Sequence, residues 1–160
     1  MLNAAINGFG RIGRAAFKAL LNKKNTTVVA INDLTDTKTL AYLLKYDSCY
    51  GIYDKKVGFT RDSIIVAGKK YKVLAEKEPD KLPWKEMKVD VVIESTGRFT
   101  KKEDAALHLA AGAKKVIISA PAKNIPHPNP LLSKEREIKT IVLGVNENNF
   151  KKSDKIISMA

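Results

Sequence analysis

Ala4-Ala5-Ile6-Asn7-Gly8-Phe9-Gly10-Arg11-Ile12-Gly13 is the stretch on which the reading of this 160-residue chain turns. A short apolar run passes directly into three glycines spaced G-x-G-x-x-G. Beyond them Ile12, Ala15, Ala16, Ala19 and Leu20 recur at helical spacing, with Asn22 and Asn25 to end the helix. Each glycine of such a strand-turn-helix has a physical purpose. Gly8 permits the tight turn, Gly10 lets the backbone approach a pyrophosphate, and Gly13 lets helix and strand pack closely, while the helix start offers free N–H groups to an anion. Three glycines at fixed places arise by chance roughly once in 3,000 starts, or in about 5% of chains of this length, so context must decide. Here a strand pattern precedes them, a helix pattern follows, and Asp33 stands twenty residues beyond Gly13 at the end of a second strand pattern.

A carboxylate at Asp33 can accept hydrogen bonds from adenosine ribose hydroxyls and would repel a 2′-phosphate, and Leu34 brings no positive charge to offset it. NAD is therefore expected over NADP. Without the glycines, Asn32-Asp33 would read as simple turn residues.

Outward from the turn, strand-like clusters recur at 27–31, 64–66, 71–75, 89–93, 115–119, 139–145 and 155–158. A second helical stripe is Leu40, Leu43 and Leu44. A third is Ala106, Leu109 and Ala110, introduced by Thr100 and Glu103 in capping-box spacing and followed by Gly112. Val89-Asp90-Val91-Val92-Ile93 is apolar nearly throughout, as a strand covered on both faces requires. The expectation is α/β: a Rossmann-type, doubly wound, mainly parallel sheet in a single domain over 1–160, with a β-hairpin inserted around Ala67-Gly68-Lys69. Pro126, Pro128 and Pro130 mark an atypical loop at about 124–138, read as a surface excursion or a ligand-contacting loop. Ligands of such sheets bind beyond the carboxyl ends of the strands. There the chain places Glu94-Ser95-Thr96-Gly97, Ser119-Ala120-Pro121 and Gly144-Val145-Asn146, small and hydrogen-bonding residues that also serve as ordinary turn formers.

Composition narrows the remaining classes. The net charge of +12 raises polyanion binding, but it is spread evenly: residues 1–80 carry 14 basic and 8 acidic side chains and residues 81–160 carry 15 and 9, +6 in each half. With five arginines and no basic arm, a solvated lysine-rich surface is expected and no specific nucleic-acid partner. No apolar run reaches the roughly 20 residues of a membrane span, and the N-terminus lacks a signal-peptide pattern, which favours a cytoplasmic protein without a membrane partner. One cysteine excludes an internal disulfide, and two histidines with that thiol lack zinc-ligand spacing, so no metal is expected. Nor does a nucleophile–base pair stand out. Cys49 reads as a structural or incidental thiol, His108 as solvent-facing on the third helix, and His127 as a residue of the proline loop.

Ile6-Asn7-Gly8-Phe9-Gly10-Arg11-Ile12-Gly13-Arg14, Asn32-Asp33-Leu34, Leu44-Lys45-Tyr46-Asp47-Ser48, Glu94-Ser95-Thr96-Gly97-Arg98-Phe99, Gly112-Ala113-Lys114-Lys115-Val116 and Gly144-Val145-Asn146 together resemble the cofactor domain of glyceraldehyde-3-phosphate dehydrogenases. The resemblance implies an NAD-dependent phosphorylating aldehyde oxidation in glycolysis, carried out in a homotetramer. It places Arg11 and Ile12 amides on the pyrophosphate, Asp33 on the adenosine ribose, Lys77 near the adenine, Thr96 and Gly97 alongside the cofactor, and Ser119 near the nicotinamide ribose. Asn7, Asn32, Ser95, Phe99 and Ala120 complete the cofactor-binding set that it implies. The sequence departs from the family pattern in three places. It stops at Ile156-Ile157-Ser158-Met159-Ala160, two residues before the family's catalytic cysteine, Met159 replaces an asparagine, and about a dozen residues of the proline loop look inserted. The expectation is a cofactor-binding half that lacks the catalytic domain and binds NAD without turnover. An exposed apolar surface would meet a catalytic domain or another copy. The alternative is a stand-alone nucleotide-binding or interaction module with weak polyanion binding.

Overall fold

The computed structural model describes residues 1–123 and 138–160. The proline loop, with Pro126, His127, Pro128 and Pro130, thus lies outside the described residues up to Ile138. The fold is Rossmann-type α/β. Strand β1 (Leu2–Asn7) leads through the glycine turn into helix α1 (Arg11–Leu21) and returns as β2 (Thr26–Asn32) parallel to β1. Helix α2 (Thr37–Lys45), the short ribbon β3 (Tyr46–Asp47) and β4 (Gly51–Ile52), and the antiparallel trio β5 (Val57–Thr60), β6 (Ser63–Val66) and β7 (Lys69–Leu74) follow. The chain then forms β8 (Val91–Glu94), α3 (Lys102–Ala110), β9 (Lys115–Ile118), β10 (Lys139–Thr140) and β11 (Ile156–Ser158). One sheet of nine strands has the order β10-β11-β9-β8-β1-β2-β7-β6-β5.

From β1 the chain first builds outward through β2 to β7, and then comes back to the other side of β1 with β8, β9 and β11. The reversal falls between β1 and β8, and a parallel sheet that reverses there opens a crevice at the carboxyl ends of those two strands. The hairpin expected at Ala67-Gly68 is present. Both turn residues have positive φ, +48° and +83°, the twist-compatible geometry of a two-residue turn between antiparallel strands, and its second strand, β7, pairs parallel with β2.

One core, on Ile6, Phe9, Phe17, Ile31, Leu40 and Leu44, gathers α1 and α2 against the sheet. A second, on Ala5, Ala30, Trp84, Val89 and Val92, lies around the segment that enters β8. The expected α1 stripe is corrected here. Ile12 is 56% exposed and Ala15 and Ala19 face solvent, whereas Gly13, Arg14 and Phe17 are buried. The cause is steric: an ideal Cβ on Gly13 would lie 2.0 Å from the Gly8 carbonyl oxygen, so the one residue without a Cβ must face the turn, and that sets the rotation of the whole helix. The buried stripe of α3 is likewise Ala105 and His108 rather than Ala106, Leu109 and Ala110, and its N-cap is Lys101, without a side-chain cap, in place of the expected Thr100–Glu103 box. Leu43 of α2 is exposed, its place taken by Ala41. The strand expected over 139–145 ends at Thr140. Asn146 Oδ1 accepts the Val142 N–H at 2.7 Å and Asn146 Nδ2 donates to the Thr140 carbonyl at 3.0 Å, so a side-chain-clasped turn replaces the ladder.

Candidate functional site

The cleft at the reversal of strand order is built by three strand ends. The Gly8 N–H donates to the Asn32 carbonyl at 2.8 Å, tying the glycine turn to β2, and the Ser95 N–H donates to the Asn7 carbonyl at 2.8 Å, tying it to β8. Gly8, at φ +91°, passes so close to the β8 end that an added Cβ would sit 2.7 Å from the Thr96 nitrogen. Ser95 Oγ donates to the Gly8 carbonyl at 2.7 Å from the other side. Gly10 differs from both neighbours: nothing lies within 4 Å of its ideal Cβ, so the space above it is open. It is also the N-cap of α1, supplies no capping side chain, and is followed by a first turn with no acidic residue. The first amides of the helix are thus free for an external anion.

Asp33 is anchored before any ligand reaches it. Its Oδ2 accepts the Phe9 N–H at 2.7 Å and its Oδ1 the Thr35 N–H at 2.9 Å. A carboxylate offers about four acceptor positions, so these bonds orient it and leave capacity for hydroxyl donors. Phe9 is buried edge-on against Phe17, ring centroids 5.4 Å apart, which pins the middle of the glycine turn. Across the cleft floor Asn32 Nδ2 donates to Asn7 Oδ1 at 2.7 Å and to the Glu76 carbonyl at 2.8 Å, and Asn32 Oδ1 accepts the Glu76 N–H at 2.8 Å.

The resulting cavity, about 280 Å³ and open on one side, is lined by Asn7, Gly8, Gly10, Asn32, Asp33, Lys77, Ser95, Thr96 and Phe99 among the residues expected from sequence. Gly13 lies behind it as packing, Arg11 and Ile12 begin the helix beside it, and Gly97 follows the lining residue Thr96 at φ +73°. Ser119 and Ala120, at the end of β9, are not among its lining. The Ser119 N–H donates to the Glu94 carbonyl and the Ala120 carbonyl accepts Ser158 Oγ–H. Leu34, Glu76 and Arg98 line the cavity without having been expected. Arg98 stood inside a quoted motif, but Glu76 reaches the cleft only through its pairing with Asn32, a contact with no local sequence signal. A larger groove, about 690 Å³, runs past Tyr42, Tyr46 and Phe59 and includes no residue of the glycine turn.

His108 corrects the sequence reading outright. It is fully buried, with Trp84 Nε1 at 3.0 Å from Nδ1 and Glu94 Oε2 at 2.9 Å from Nε2. Cys49 is exposed. Among the described residues no cluster of His, Cys, Asp and Glu could hold a metal ion, and no helix is long and apolar enough to cross a membrane.

The residues present fit a dinucleotide. The open space over Gly10, the uncapped helix start and the oriented carboxyl of Asp33 border one cleft, which offers anion-binding amides and a hydroxyl acceptor side by side. Comparison with known proteins agrees. Residues 2–102 match the family model described as glyceraldehyde 3-phosphate dehydrogenase, NAD binding domain. Glyceraldehyde-3-phosphate dehydrogenases of Thermotoga maritima, Mycoplasma pneumoniae and Geobacillus stearothermophilus are 54%, 52% and 52% identical to this chain over 100%, 99% and 99% of its length. The chain spans 45%, 44% and 44% of those curated relatives.

Proposed function

Since this chain belongs to the glyceraldehyde-3-phosphate dehydrogenase family and carries its NAD-binding domain, we propose that residues 1–160 act as one dinucleotide-binding unit in the NAD-dependent, phosphorylating oxidation of an aldehyde such as glyceraldehyde 3-phosphate. NAD, when bound, supplies the hydride acceptor of that reaction. The chain's own residues bind and orient it. Amides at the start of α1, at Arg11 and Ile12, receive the pyrophosphate above Gly10. Asp33 accepts the adenosine ribose hydroxyls, Lys77 borders the adenine, and Thr96 with Gly97 passes alongside the cofactor. The observation that carries this reading is the contrast between Gly10, open, and Gly8 and Gly13, closed.

Among the described residues none supplies turnover to accompany NAD binding. Both ring nitrogens of His108 are engaged in the core and Cys49 stands on the β3–β4 turn, so neither forms a nucleophile–base pair. The nucleophile and base belong to a catalytic domain working with this unit. Calorimetric titration of the full chain with NAD tests the reading. One site per chain is expected, with affinity reduced at least about tenfold by Asp33→Ala, since hydrogen bonds to a charged acceptor contribute about 1.5–3 kcal/mol. A folded chain that takes up no NAD would overturn it.

A further inference from the structure

Behind the glycine turn lies a buried cation that the cofactor reading does not use. Arg14, one turn into α1, is 8% exposed. Its Nη1 donates to the Phe9 carbonyl at 3.1 Å, and its Nε, also buried, has no partner among the described residues. No carboxylate forms an ion pair with it among those residues. Asp47 is held below the usual carboxylate range first by the Cys49 and Tyr50 amides of its own turn, and only then by the charges of Lys18 and Arg14. Asp33 is bound to the other end of Phe9, its Oδ2 accepting the Phe9 N–H at 2.7 Å. Phe9 thus carries a carboxyl group at its N–H and a guanidinium at its carbonyl.

We propose that Arg14 is a positioning residue for the pyrophosphate of the cofactor: its guanidinium fixes and polarises the Phe9–Gly10 peptide from inside, and adds a buried positive charge behind the anion site. The proposal rests on the reading that the pyrophosphate lies above Gly10. The Phe9–Gly10 peptide is trans, so its C=O and N–H point in opposite directions. With the Phe9 carbonyl turned to Arg14, the Gly10 N–H faces away from the guanidinium, and Gly10 lines the cleft whereas Phe9 and Arg14 do not. A donor on the carbonyl of a peptide strengthens the N–H of that peptide, as in any chain of hydrogen bonds. Packing alone does not call for arginine here. A methionine or leucine would fill an apolar interior without the desolvation of a charge, and the orphaned Nε adds to that cost. The two negative charges of a pyrophosphate at the helix start offset it, because attraction between charges is screened least where water is excluded.

The test uses the full chain with ADP and adenosine, which differ only in the diphosphate. Arg14→Met, close in length and uncharged, should raise the Kd for ADP about tenfold while leaving that for adenosine within about twofold, the size expected for loss of one charge-assisted interaction. Arg14→Lys, which keeps the charge without the fork of donors, should bind ADP within about threefold of the parent. A merely structural role would move ADP and adenosine together, since Phe9 also anchors Asp33. Should the variants fail to fold, the wild-type chain still decides. The resonance of the buried Arg14 Nε–H should move on saturation with ADP and stay in place with adenosine. Equal weakening of ADP and adenosine, unchanged ADP affinity in folded Arg14→Met, a lysine variant no better than the methionine one, or a guanidinium resonance indifferent to ADP would overturn the proposal. A wild-type chain that binds neither ADP nor NAD would instead overturn the cofactor reading, and this proposal with it.

Discussion

At the scale of single residues, the three glycines of the turn separate folding from binding. Gly13 has no room for a Cβ, which would sit 2.0 Å from a backbone oxygen, so Gly13→Ala should cost about 3 kcal/mol or more in urea unfolding. Gly10 is open and adopts a φ of −69°, which any residue tolerates, so Gly10→Ala should unfold within about 0.5 kcal/mol of the parent. Its methyl group, however, would occupy the space assigned to the pyrophosphate, and calorimetry should show NAD affinity falling at least about tenfold, or about 1.4 kcal/mol. Full NAD binding by Gly10→Ala would contradict the assignment. The close packing at Gly8 and Gly13, the open space at Gly10 and the place of Asp33 at the cleft were legible in the sequence because they are set by local backbone geometry over a short span. The Trp84–His108 and Asn32–Glu76 pairs were not, because residues 24 and 44 positions apart meet only once the sheet has formed.

At the scale of elements, helix positions were legible and helix faces were not. Apolar spacing put a helix after the glycine turn, yet counting Ile12, Ala15 and Ala19 as its buried stripe ignored Gly13, whose missing Cβ outweighs three apolar side chains in orienting the helix. Phe17, not Leu20, is the anchor. It meets Phe9 at 5.4 Å and Tyr71 at 4.9 Å, both edge to face, so Phe17→Ala should lower stability by about 3–5 kcal/mol, against under about 1 kcal/mol for the exposed Ala19→Ser. The edge trio β5–β7 carries a pH-dependent contact. Asp62 accepts Lys72 Nζ, and also Ser63 and Thr60 hydroxyls, and these bonds, the lysine first, lower its pKa from 3.8 to about 2. A pKa depressed by folding adds stability that is present above the unfolded value and lost as pH falls through the folded one. Acid titration of the unfolding midpoint should therefore show a decline between about pH 4 and pH 2 that is shallower in Asp62→Asn. Superimposable curves would show that the hairpin pairing contributes nothing.

For the molecule as a whole, function follows from where the strand order reverses. Strand and helix patterns alternating along the sequence made the doubly wound sheet legible, and Asp33 after the second strand indicated the cofactor. The order β8-β1-β2 then brings the three strand ends to one cleft, which no single segment encodes. The net charge of +12 is spread along the sequence, while the cleft is lined by Asp33 and Leu34, and on the proposed reading the Asp33 carboxyl meets the ribose hydroxyl that carries the 2′-phosphate in NADP. The central claim is therefore best tested by thermal unfolding of the full chain in increasing NAD and, in parallel, NADP. A ligand that binds only the folded chain at 100 times its Kd stabilises by about 2.7 kcal/mol, which for a domain of this size raises Tm by roughly 5–10 °C. The account predicts that rise with NAD and little or none with NADP. Equal shifts with both would contradict the role of Asp33, and a cooperative transition moved by neither would contradict the cleft as a cofactor site.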